Sequence, residues 1–411
     1  MISENKKHIV FITAWFYPVN KVASFRINAF AKYLDKHKFD VSVISYNDDN
    51  LIQSETIFDR IQVYREKGTS LFQVRRQKVG ENWFVHNLKS LNNKIVLYFS
   101  KEDYPGWSYS VLKRLIAINN KQKIDCIISS FAPVDSHVAA YQFKRFNPNV
   151  KWIADMRDEM SENSYFSNKT KAKLLGWEKK MDIHLNAVVS VSKPILNSFK
   201  NSFFNSSIVY SEIRNGYDHN HKPKENFNKK FTLLFAGTFY DQIKPDFFFK
   251  ALINLENQKK LGDFWEFILL GTHENFSKPN SLKYHLKILP PVNYDEAINQ
   301  IFAADCNVLI LPSNRPKGVY SGKLFDYISA GKPIIALGDK EDVAANLIND
   351  LGIGVVVDFY NLEDIEKGIL YMYNLWSKKI SLNLDPLKIE ALHRKNQTLE
   401  LENLIEKLCN G

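Results

Sequence analysis

The sequence predicts an α/β protein built from two doubly wound units. Short apolar or β-branched runs alternate with helix-length amphipathic stretches along nearly the whole chain, which is typical of parallel sheets flanked by helices. The 411 residues exceed the usual size of one domain and favour two. A turn-forming cluster at 215–218, followed by a polar stretch, lies near the middle of the chain and indicates the boundary between the units.

Each half of the chain contributes its own series of strand candidates. In the first half they are residues 8–13, 41–45, 126–129, 151–155 and 187–191. In the second half they are residues 231–236, 265–270, 283–289, 306–311, 333–337 and 354–357. With the boundary at Asp218, residues 1–218 form the first domain and 219–384 the second. The apolar spacing in 385–411 predicts one long amphipathic helix, which could pack on either domain.

Composition and motif content exclude several functional classes. The three cysteines, Cys126, Cys306 and Cys409, are widely separated and form no Cys-x-x-Cys pair, so neither a disulfide framework nor a zinc site is indicated. No apolar run reaches the length of a membrane-spanning helix, and the polar start is unlike a secretory signal, so we expect a cytoplasmic protein. The absence of a Walker loop, a nucleophile elbow and metal-ligand spacing argues against an NTPase, a serine hydrolase and a metalloenzyme.

Charge is distributed unevenly between the two halves. Residues 1–210 hold 31 Lys and Arg against 19 Asp and Glu, a net charge of +12, whereas residues 211–411 hold 24 against 26, a net charge of −2. A basic half could face nucleic acid, an anionic membrane or an acidic substrate, because all three present phosphates. Only the charge supports nucleic acid as the partner, because the sequence contains no recognised nucleic-acid-binding motif. We therefore expect no nucleic-acid partner.

A phosphate-binding helix start is predicted at residues 321–335. There a loop follows a strand, a helix opens at Ser321 and Gly322, and Gly331 ends it before another buried strand. The N–H groups at a helix start bind phosphate, and Lys323 adds a cationic side chain to them. Asp326 lies one turn deeper on the same face, where a carboxylate could accept both hydroxyls of a ribose. The alternative is an ordinary N-terminal cap with a solvated acid.

A second, weaker signal follows the first strand of the second half. Gly237 ends that strand, Thr238 comes next, and Lys244 lies just before the following helix. A glycine allows the backbone to approach a ligand, and a basic residue at a helix start can neutralise a phosphate. Taken without the previous motif, these residues are explained more simply by a plain βα turn.

In the first half, charged residues come directly after a buried strand. Asp155, Arg157 and Asp158 lie where ligands bind in doubly wound sheets, although an Arg157–Asp pair that fixes a loop would also account for them. His137 also follows a strand end and could carry a proton or bind a sugar hydroxyl, although a structural histidine is the commoner case. Arg26 follows a first strand that lacks Gly-x-Gly-x-x-Gly, and it could be only a helix-surface charge.

Taken together, these segments resemble the family 4 (group 1) glycosyltransferases of the GT-B type, in particular bacterial enzymes that build surface polysaccharides and O-antigens on a lipid carrier. The matching segments, in chain order, are 16–18 with Arg26, 155–158, 189–192, 215–218, 237–240 and 321–335. The resemblance implies two Rossmann-like domains facing a central cleft, with the C-terminal helix returning to the first domain. It also implies sugar transfer with retention of configuration and without a metal or other cofactor.

The resemblance further implies roles for individual residues. The second domain would bind a nucleoside diphosphate sugar through Gly237, Thr238, Lys244 and residues 321–324, namely Ser321, Gly322, Lys323 and Leu324, with Asp326 on the ribose and the base near Val292. The first domain would bind a lipid-linked saccharide acceptor. Its catalytic candidates are Asp158, His137 and Arg157, and its acceptor or cleft candidates are Arg26 and Asp155.

The chain departs from the family pattern at the acid pair of the donor domain. The first acid, which commonly touches the donor sugar, is replaced by Gly318, and the second is Asp326 where relatives have Glu. Two alternatives therefore stay open: a nucleotide-sugar epimerase on the same scaffold, and a non-catalytic sugar-nucleotide-binding scaffold.

The basic first half predicts peripheral attachment to an anionic membrane surface at the inner face of the cell membrane. Cations and interfacial aromatics alternate in one segment, which contains Arg75, Arg76, Lys78, Lys89 and Lys94 together with Trp83, Phe84 and Tyr98. The alternative is a solvated basic loop whose aromatic side chains pack inward.

Overall fold

The structure, a computed structural model, divides into two compact units. It describes residues 6–19, 22–47, 51–68, 82–85, 87–91, 103–221, 227–239, 243–272, 276–311 and 318–410. The first unit runs to Arg214 and resumes at Arg394 for the rest of the chain, and the second unit is Asn215–His393. The chain therefore leaves the first unit slightly before the boundary predicted at Asp218, and returns to it later than the predicted start of the C-terminal segment at 385.

The first unit contains an eight-stranded sheet. Its strands are β1 (Lys7–Thr13), β2 (Phe39–Tyr46), β3 (Ser54–Ile57), β4 (Ile61–Glu66), β5 (Cys126–Phe131), β6 (Lys151–Met156), β7 (Ala187–Ser190) and β8 (Val209–Glu212). They are arranged in the order β3-β4-β2-β1-β5-β6-β7-β8. All neighbouring pairs are parallel except β3 with β4, which form an antiparallel pair at the edge.

Helices connect the parallel strands of this sheet. They are α1 (Val22–Tyr33), α2 (Trp107–Lys121), α3 (Asp135–Phe146), α4 (Asn168–Asp182) and α5 (Lys193–Ser202). Residues 83–85 and 87–91 are also helical. The start of α4 is fixed by Ser167, whose side chain accepts a hydrogen bond from the N–H of Thr170, as expected of a serine N-cap.

The C-terminal segment forms two helices in place of the single long helix predicted from its apolar spacing. They are α11 (Pro386–Glu390) and α12 (Arg394–Asn410), numbered after the helices of the second unit. Only the second joins the first unit, where Leu401, Leu404 and Ile405 pack into the core beneath β1 and β2. Leu392, just before the return, packs into the second unit instead. The apolar spacing runs through the whole segment because its earlier apolar residues pack into the second unit and its later ones pack into the first.

The second unit contains a six-stranded, fully parallel sheet. Its strands are β9 (Phe231–Ala236), β10 (Trp265–Leu270), β11 (Leu286–Leu289), β12 (Cys306–Ile310), β13 (Ile334–Leu337) and β14 (Gly354–Val357), in the order β11-β10-β9-β12-β13-β14. Its helices are α6 (Asp246–Asn257), α7 (Tyr294–Ala303), α8 (Gly322–Ser329), α9 (Val343–Leu351) and α10 (Leu362–Ser377). This strand order is that of the dinucleotide-binding Rossmann sheet.

Apolar side chains cover both faces of the second sheet. One core contains residues of α6 and α10, and the other contains residues of α7, α8 and α9. A sheet buried on both faces has apolar residues at most positions of its strands, which explains the nearly continuous apolar runs of its sequence.

All eleven predicted strands are present, with bounds that differ by a few residues. Strands β3, β4 and β8 were not predicted from the sequence, and they lie at or next to the edges of the first sheet. In both units the strand order reverses beside the first strand, at β1/β5 and at β9/β12. At such a switch point, ligands bind beyond the C-terminal ends of the strands. The side of each sheet on which these strand ends lie is here called its carboxyl edge.

Candidate functional site

Closely spaced backbone marks the carboxyl edge of the second sheet. Gly237 follows β9 with a φ of 122°, and Gly271 follows β10 with a φ of 77°, a region of backbone conformation that favours glycine. A Cβ on Gly271 would lie 3.8 Å from the Cα of Pro291 and 4.0 Å from that of Gly237. Thr272 holds the turn at Gly237 in place, because its hydroxyl donates to the Gly237 carbonyl at 2.8 Å. Three strand ends therefore meet closely at this edge.

The side chain of Lys323 packs against this edge. Its Nζ lies 4.2 Å from the centroid of the Phe235 ring, and a methyl group on Gly237 would lie 2.5 Å from the same Nζ. Burial lowers the pKa of Lys323 to about 8, because the ammonium loses water and gains no carboxylate in exchange. Among the described residues, no ion pair or side-chain hydrogen bond compensates this charge. Lys323 is therefore placed to receive an anion.

Helix α8 directs its start to the same place. The side chain of its N-cap residue Ser321 makes no capping hydrogen bond, so it does not occupy the N–H groups of the first turn. Leu324 is buried in the core, and its N–H donates to the Ser321 carbonyl at 3.1 Å, so Leu324 can contribute little to binding a ligand. Gly322 is exposed. Its N–H, that of Lys323 and the positive end of the helix dipole can attract a phosphate.

Asp326 is held by a side chain from the neighbouring helix. The hydroxyl of Tyr294, the first residue of α7, donates to Asp326 Oδ1 at 2.8 Å. In the next position of α8, the hydroxyl of the fully buried Tyr327 accepts the N–H of Ala236 at 2.9 Å. Helix α8 is thus tied both to α7 and to the end of β9, which fixes the carboxylate relative to Lys323.

The remaining predicted donor residues lie around this centre. Thr238 and Val292 are half-buried, and Lys244 is exposed just before α6. Gly318, at the position of the absent family acid, has a φ of 90°. That conformation suits glycine and strains other residues, so an acid could not be restored there without a change of backbone.

At the carboxyl edge of the first sheet, Arg26 differs from the helix-surface charge considered above. It is only 5% exposed, and its Nε donates to Asp155 Oδ1 at 2.9 Å. Its Nη1 donates to the Arg214 carbonyl at 3.0 Å, and Asp155 Oδ2 accepts the hydroxyl of Ser130 at 2.9 Å. Arg26 and Asp155 therefore form a buried ion pair that links α1, β5 and β6.

Arg157 fixes a loop, but through carbonyl groups and not through an aspartate. Its guanidinium donates to the carbonyls of Phe131, Ala132 and Ala23, with the shortest bond 2.7 Å long. Asp158 beside it is half-buried, and burial raises the pKa of its carboxyl while the charge of Arg157 opposes the rise. Among the described residues, no side-chain hydrogen bond occupies the carboxylate of Asp158.

His137 lies inside the first unit. Its Nδ1 is 2.7 Å from the hydroxyl of Ser129, which also accepts the indole N–H of Trp152 at 2.8 Å. The Nε2 of His137 is buried without a partner. Burial lowers the pKa of His137 to about 3, so the ring is neutral near pH 7. A neutral, enclosed imidazole is suited to hydrogen bonding more than to carrying a proton to and from solvent.

The predicted membrane segment lies largely outside the described residues. Arg75, Arg76, Lys78, Lys94 and Tyr98 belong to the part that the structure leaves undescribed. Of the described members, Trp83 is 76% exposed and Phe84 62%, which is unlike aromatics that pack inward, and Lys89 is half-buried. None of the helices described is long and apolar enough to cross a bilayer.

Sequence reasoning missed the residues that position the donor groups. Tyr294, Tyr327 and Thr272 make their contacts across helices and strands that are far apart in the sequence. The sequence contains a weak indication of Tyr327, because this residue places a hydroxyl on the side of α8 that the helical spacing marks as apolar. The other two carry no signal that distinguishes them from surface residues.

Comparison with protein families finds a match to one family in the second unit. Residues 217–383 match the family model described as Glycosyl transferases group 1, which is less than half of the chain. No curated protein matches the sequence. The matched range covers most of the second unit, including Lys323 and Asp326, so the similarity to this family lies in the second unit.

Comparison with solved structures extends over both units. Sucrose-phosphate synthase from Thermosynechococcus elongatus is similar with a TM-score of 0.64 and 13% identity, covering 98% of this chain and 99% of that one. A glycosyltransferase from Rickettsia africae has a TM-score of 0.61 and 14% identity, covering 98% and 99%. Anabaena HepE, solved in complex with UDP-glucose, has a TM-score of 0.55 and 12% identity, covering 97% and 98%. At these identities the likeness shows the fold, which is GT-B.

Proposed function

We propose that the protein is a glycosyltransferase that moves a sugar from a nucleoside diphosphate sugar to a saccharide acceptor with retention of configuration. The observation that carries this proposal is Lys323 at the switch point of the second sheet, a half-buried cation that has no carboxylate partner in the described part of the chain. Burying an unpaired charge is costly unless an anion compensates it when bound. The match to the group 1 glycosyltransferases supports a sugar nucleotide as the source of that anion.

The donor half of the reaction follows from this charge. Breaking the bond to the sugar leaves a diphosphate that gains negative charge, and stabilising that charge is the main task of such a site. Lys323 and the N–H groups at the start of α8 would receive it, with Lys244 adding a more distant positive charge. Asp326 would accept the ribose hydroxyls, and the base would lie near Val292. The proposal needs no metal, because these groups supply the positive charge themselves.

The acceptor would bind to the first unit. We assign Asp158 to the acceptor hydroxyl, because it is half-buried and its raised pKa makes it a stronger proton acceptor than an ordinary aspartate. Arg157 would hold the loop beside it in place, and the Arg26–Asp155 pair would keep that edge rigid. His137 is fully buried, so it would act as a neutral hydrogen-bonding group inside the unit and would not contact the acceptor.

The acceptor that we propose is lipid-linked, as in the assembly of bacterial surface polysaccharides and O-antigens. The net charge of +12 over residues 1–210 and the exposed Trp83 and Phe84 support a contact with an anionic membrane surface. Vesicle flotation tests this part. Binding should need anionic lipid, weaken at high salt, and fall when Arg75, Arg76, Lys78, Lys89 and Lys94 are all changed to Gln. A variant that floats as well as the parent would locate the contact elsewhere.

Incubation with a panel of nucleoside diphosphate sugars, without an acceptor, tests the reaction. A transferase should release free sugar slowly to water, and it should release less when Lys323 is replaced by Ala. Formation of an epimerised sugar nucleotide would instead identify an epimerase. Thermal stabilisation by nucleotides with no turnover of any donor would favour a non-catalytic binder, the alternative that Gly318 supports by leaving the donor sugar without its usual acid.

A further inference from the structure

Tyr294 occupies a position that the proposed reaction does not yet use. It opens helix α7, its side chain is 40% exposed, and its hydroxyl donates to Asp326 Oδ1 at 2.8 Å. The helix start is fixed by Asn293, whose side chain accepts the N–H of Glu296, and Ile298 anchors the helix in the core. The phenol is therefore presented to α8 from a rigid support.

We infer that Tyr294 is a positioning residue that orients Asp326 to accept the ribose hydroxyls of a nucleoside diphosphate. This inference rests on the proposed donor site. A carboxylate has about four lone-pair positions, so it can accept a hydrogen bond from a phenol and still accept hydroxyls of a ligand. Without the Tyr294 bond the carboxylate would lose one of the contacts that hold its orientation, and more of its ordering would have to occur when the ligand binds.

The length of the acid makes this orientation important. The family pattern has Glu where this chain has Asp326, which is shorter by one methylene and has one torsion fewer with which to reach a ligand. A carboxylate with little reach must already point correctly. The Tyr294 hydroxyl supplies that orientation from the neighbouring helix, three residues beyond Pro291, whose backbone lies beside Gly271 at the same edge.

The test compares nucleotides that have and lack ribose hydroxyls. The probes are UDP, ADP and GDP with their 2′,3′-dideoxy analogues, and binding is measured by calorimetry to the whole protein. The Tyr294→Phe variant keeps the ring and removes only the hydroxyl. Its affinity for the ribonucleotide should fall about tenfold, as expected for one hydrogen bond to a charged group, while its affinity for the dideoxy analogue stays unchanged. With the matching donor sugar, KM should rise more than kcat falls.

Two further variants complete the experiment. Tyr284→Phe is the matched control, since Tyr284 belongs to the same unit, is 83% exposed, and contacts Lys283 with its ring. It should change neither affinity. Adding Tyr294→Phe to Asp326→Ala should cause no further loss, because the two residues act through one contact.

The outcomes separate this inference from the proposal beneath it. If the parent binds a ribonucleotide better than its dideoxy analogue and Tyr294→Phe keeps the full difference, Tyr294 does not position Asp326. If the parent binds none of the three nucleotides, the proposed donor site fails and this inference fails with it. Equal melting temperatures of parent and variants exclude a loss of folding as the cause.

Discussion

The switch points of the two sheets each carry a cation, and the two cations differ in whether a described carboxylate pairs with them. In the first unit, Arg26 is buried against Asp155, and both groups are held by further hydrogen bonds. In the second unit, Lys323 packs on the ring of Phe235, and no carboxylate pairs with it among the described residues. The two units have related strand orders, so their topology does not account for this difference.

The difference separates a structural charge from a binding charge. A buried cation that meets a fixed carboxylate holds elements together and has little left to offer a ligand. A half-buried cation without a fixed anion destabilises the empty protein and can recover that energy when an anion binds. The four predictions that follow test whether Arg26 and Lys323 behave in these two ways.

The largest expected effect is on the stability of the first unit. Replacing Arg26 by Met leaves the carboxylate of Asp155 buried and unpaired, which should lower the free energy of unfolding by about 3–5 kcal/mol. Urea denaturation followed by circular dichroism measures it. Arg114→Met is the control, because its pair with Glu66 is more accessible to water and should contribute about 1 kcal/mol or less. Equal losses in the two variants would remove the distinction between these pairs.

Lys323→Met should show the opposite behaviour. Removing an unpaired ammonium should leave the free energy of unfolding unchanged or raised, while affinity for a nucleoside diphosphate falls by about 2–3 kcal/mol, or roughly a hundredfold. Calorimetry and denaturation on the same sample measure both quantities. Lys244→Met should lose less affinity, because Lys244 is exposed to solvent. A Lys323→Met variant that loses stability and keeps its affinity would make Lys323 a structural residue.

Gly237→Ala tests the close approach beside Lys323. Alanine is strained at a φ of 122°, and its methyl group would lie 2.5 Å from Lys323 Nζ, so we expect a loss of about 1–3 kcal/mol in stability together with weaker nucleotide binding. Gly176→Ala is the control. Gly176 lies in helix α4 with open space around its Cβ position, and alanine there should raise stability by up to about 1 kcal/mol. If both changes stabilise the protein, the turn at Gly237 is not constrained.

The smallest expected effect is the pH dependence of nucleotide binding. Burial lowers the pKa of Lys323 from its ordinary value of 10.5 to about 8, so the free protein loses this charge as the pH rises through 8. Affinity should be full below pH 8 and about tenfold weaker near pH 9. The empty protein should show the opposite trend and gain stability between pH 8 and 10.5, since the unfolded chain binds the proton more tightly there.

Lys323→Arg provides the control for this pH dependence. An arginine keeps its charge throughout the range, so the decline in affinity above pH 8 should disappear in any variant that still binds nucleotide. Isothermal titrations at a series of pH values measure it. A decline that persists unchanged in the arginine variant would assign the titration to another group.

The type and order of most elements could be predicted from the amino-acid sequence. Strands buried on both faces of a parallel sheet appear as continuous apolar runs, and turn residues separate them from the helices, so eleven strands could be located without a structure. The start of helix α8 was also readable, because Ser321, Gly322 and Gly331 mark its two ends locally. Local chemistry fixed these features, and local sequence therefore revealed them.

The roles of the charged and polar groups depend on the packing of the folded chain. Arg26 and Lys323 look alike in sequence, since each is a basic residue early in a helix. Arg26 meets Asp155, which lies 129 positions away, whereas Lys323 meets no carboxylate among the residues that the structure describes. Tyr294 reaches Asp326 only because α7 packs beside α8, and His137 is enclosed only because β5 and β6 surround it with Ser129 and Trp152. Desolvation and partner choice depend on groups brought together from distant parts of the chain, so a pattern of neighbouring residues cannot encode them.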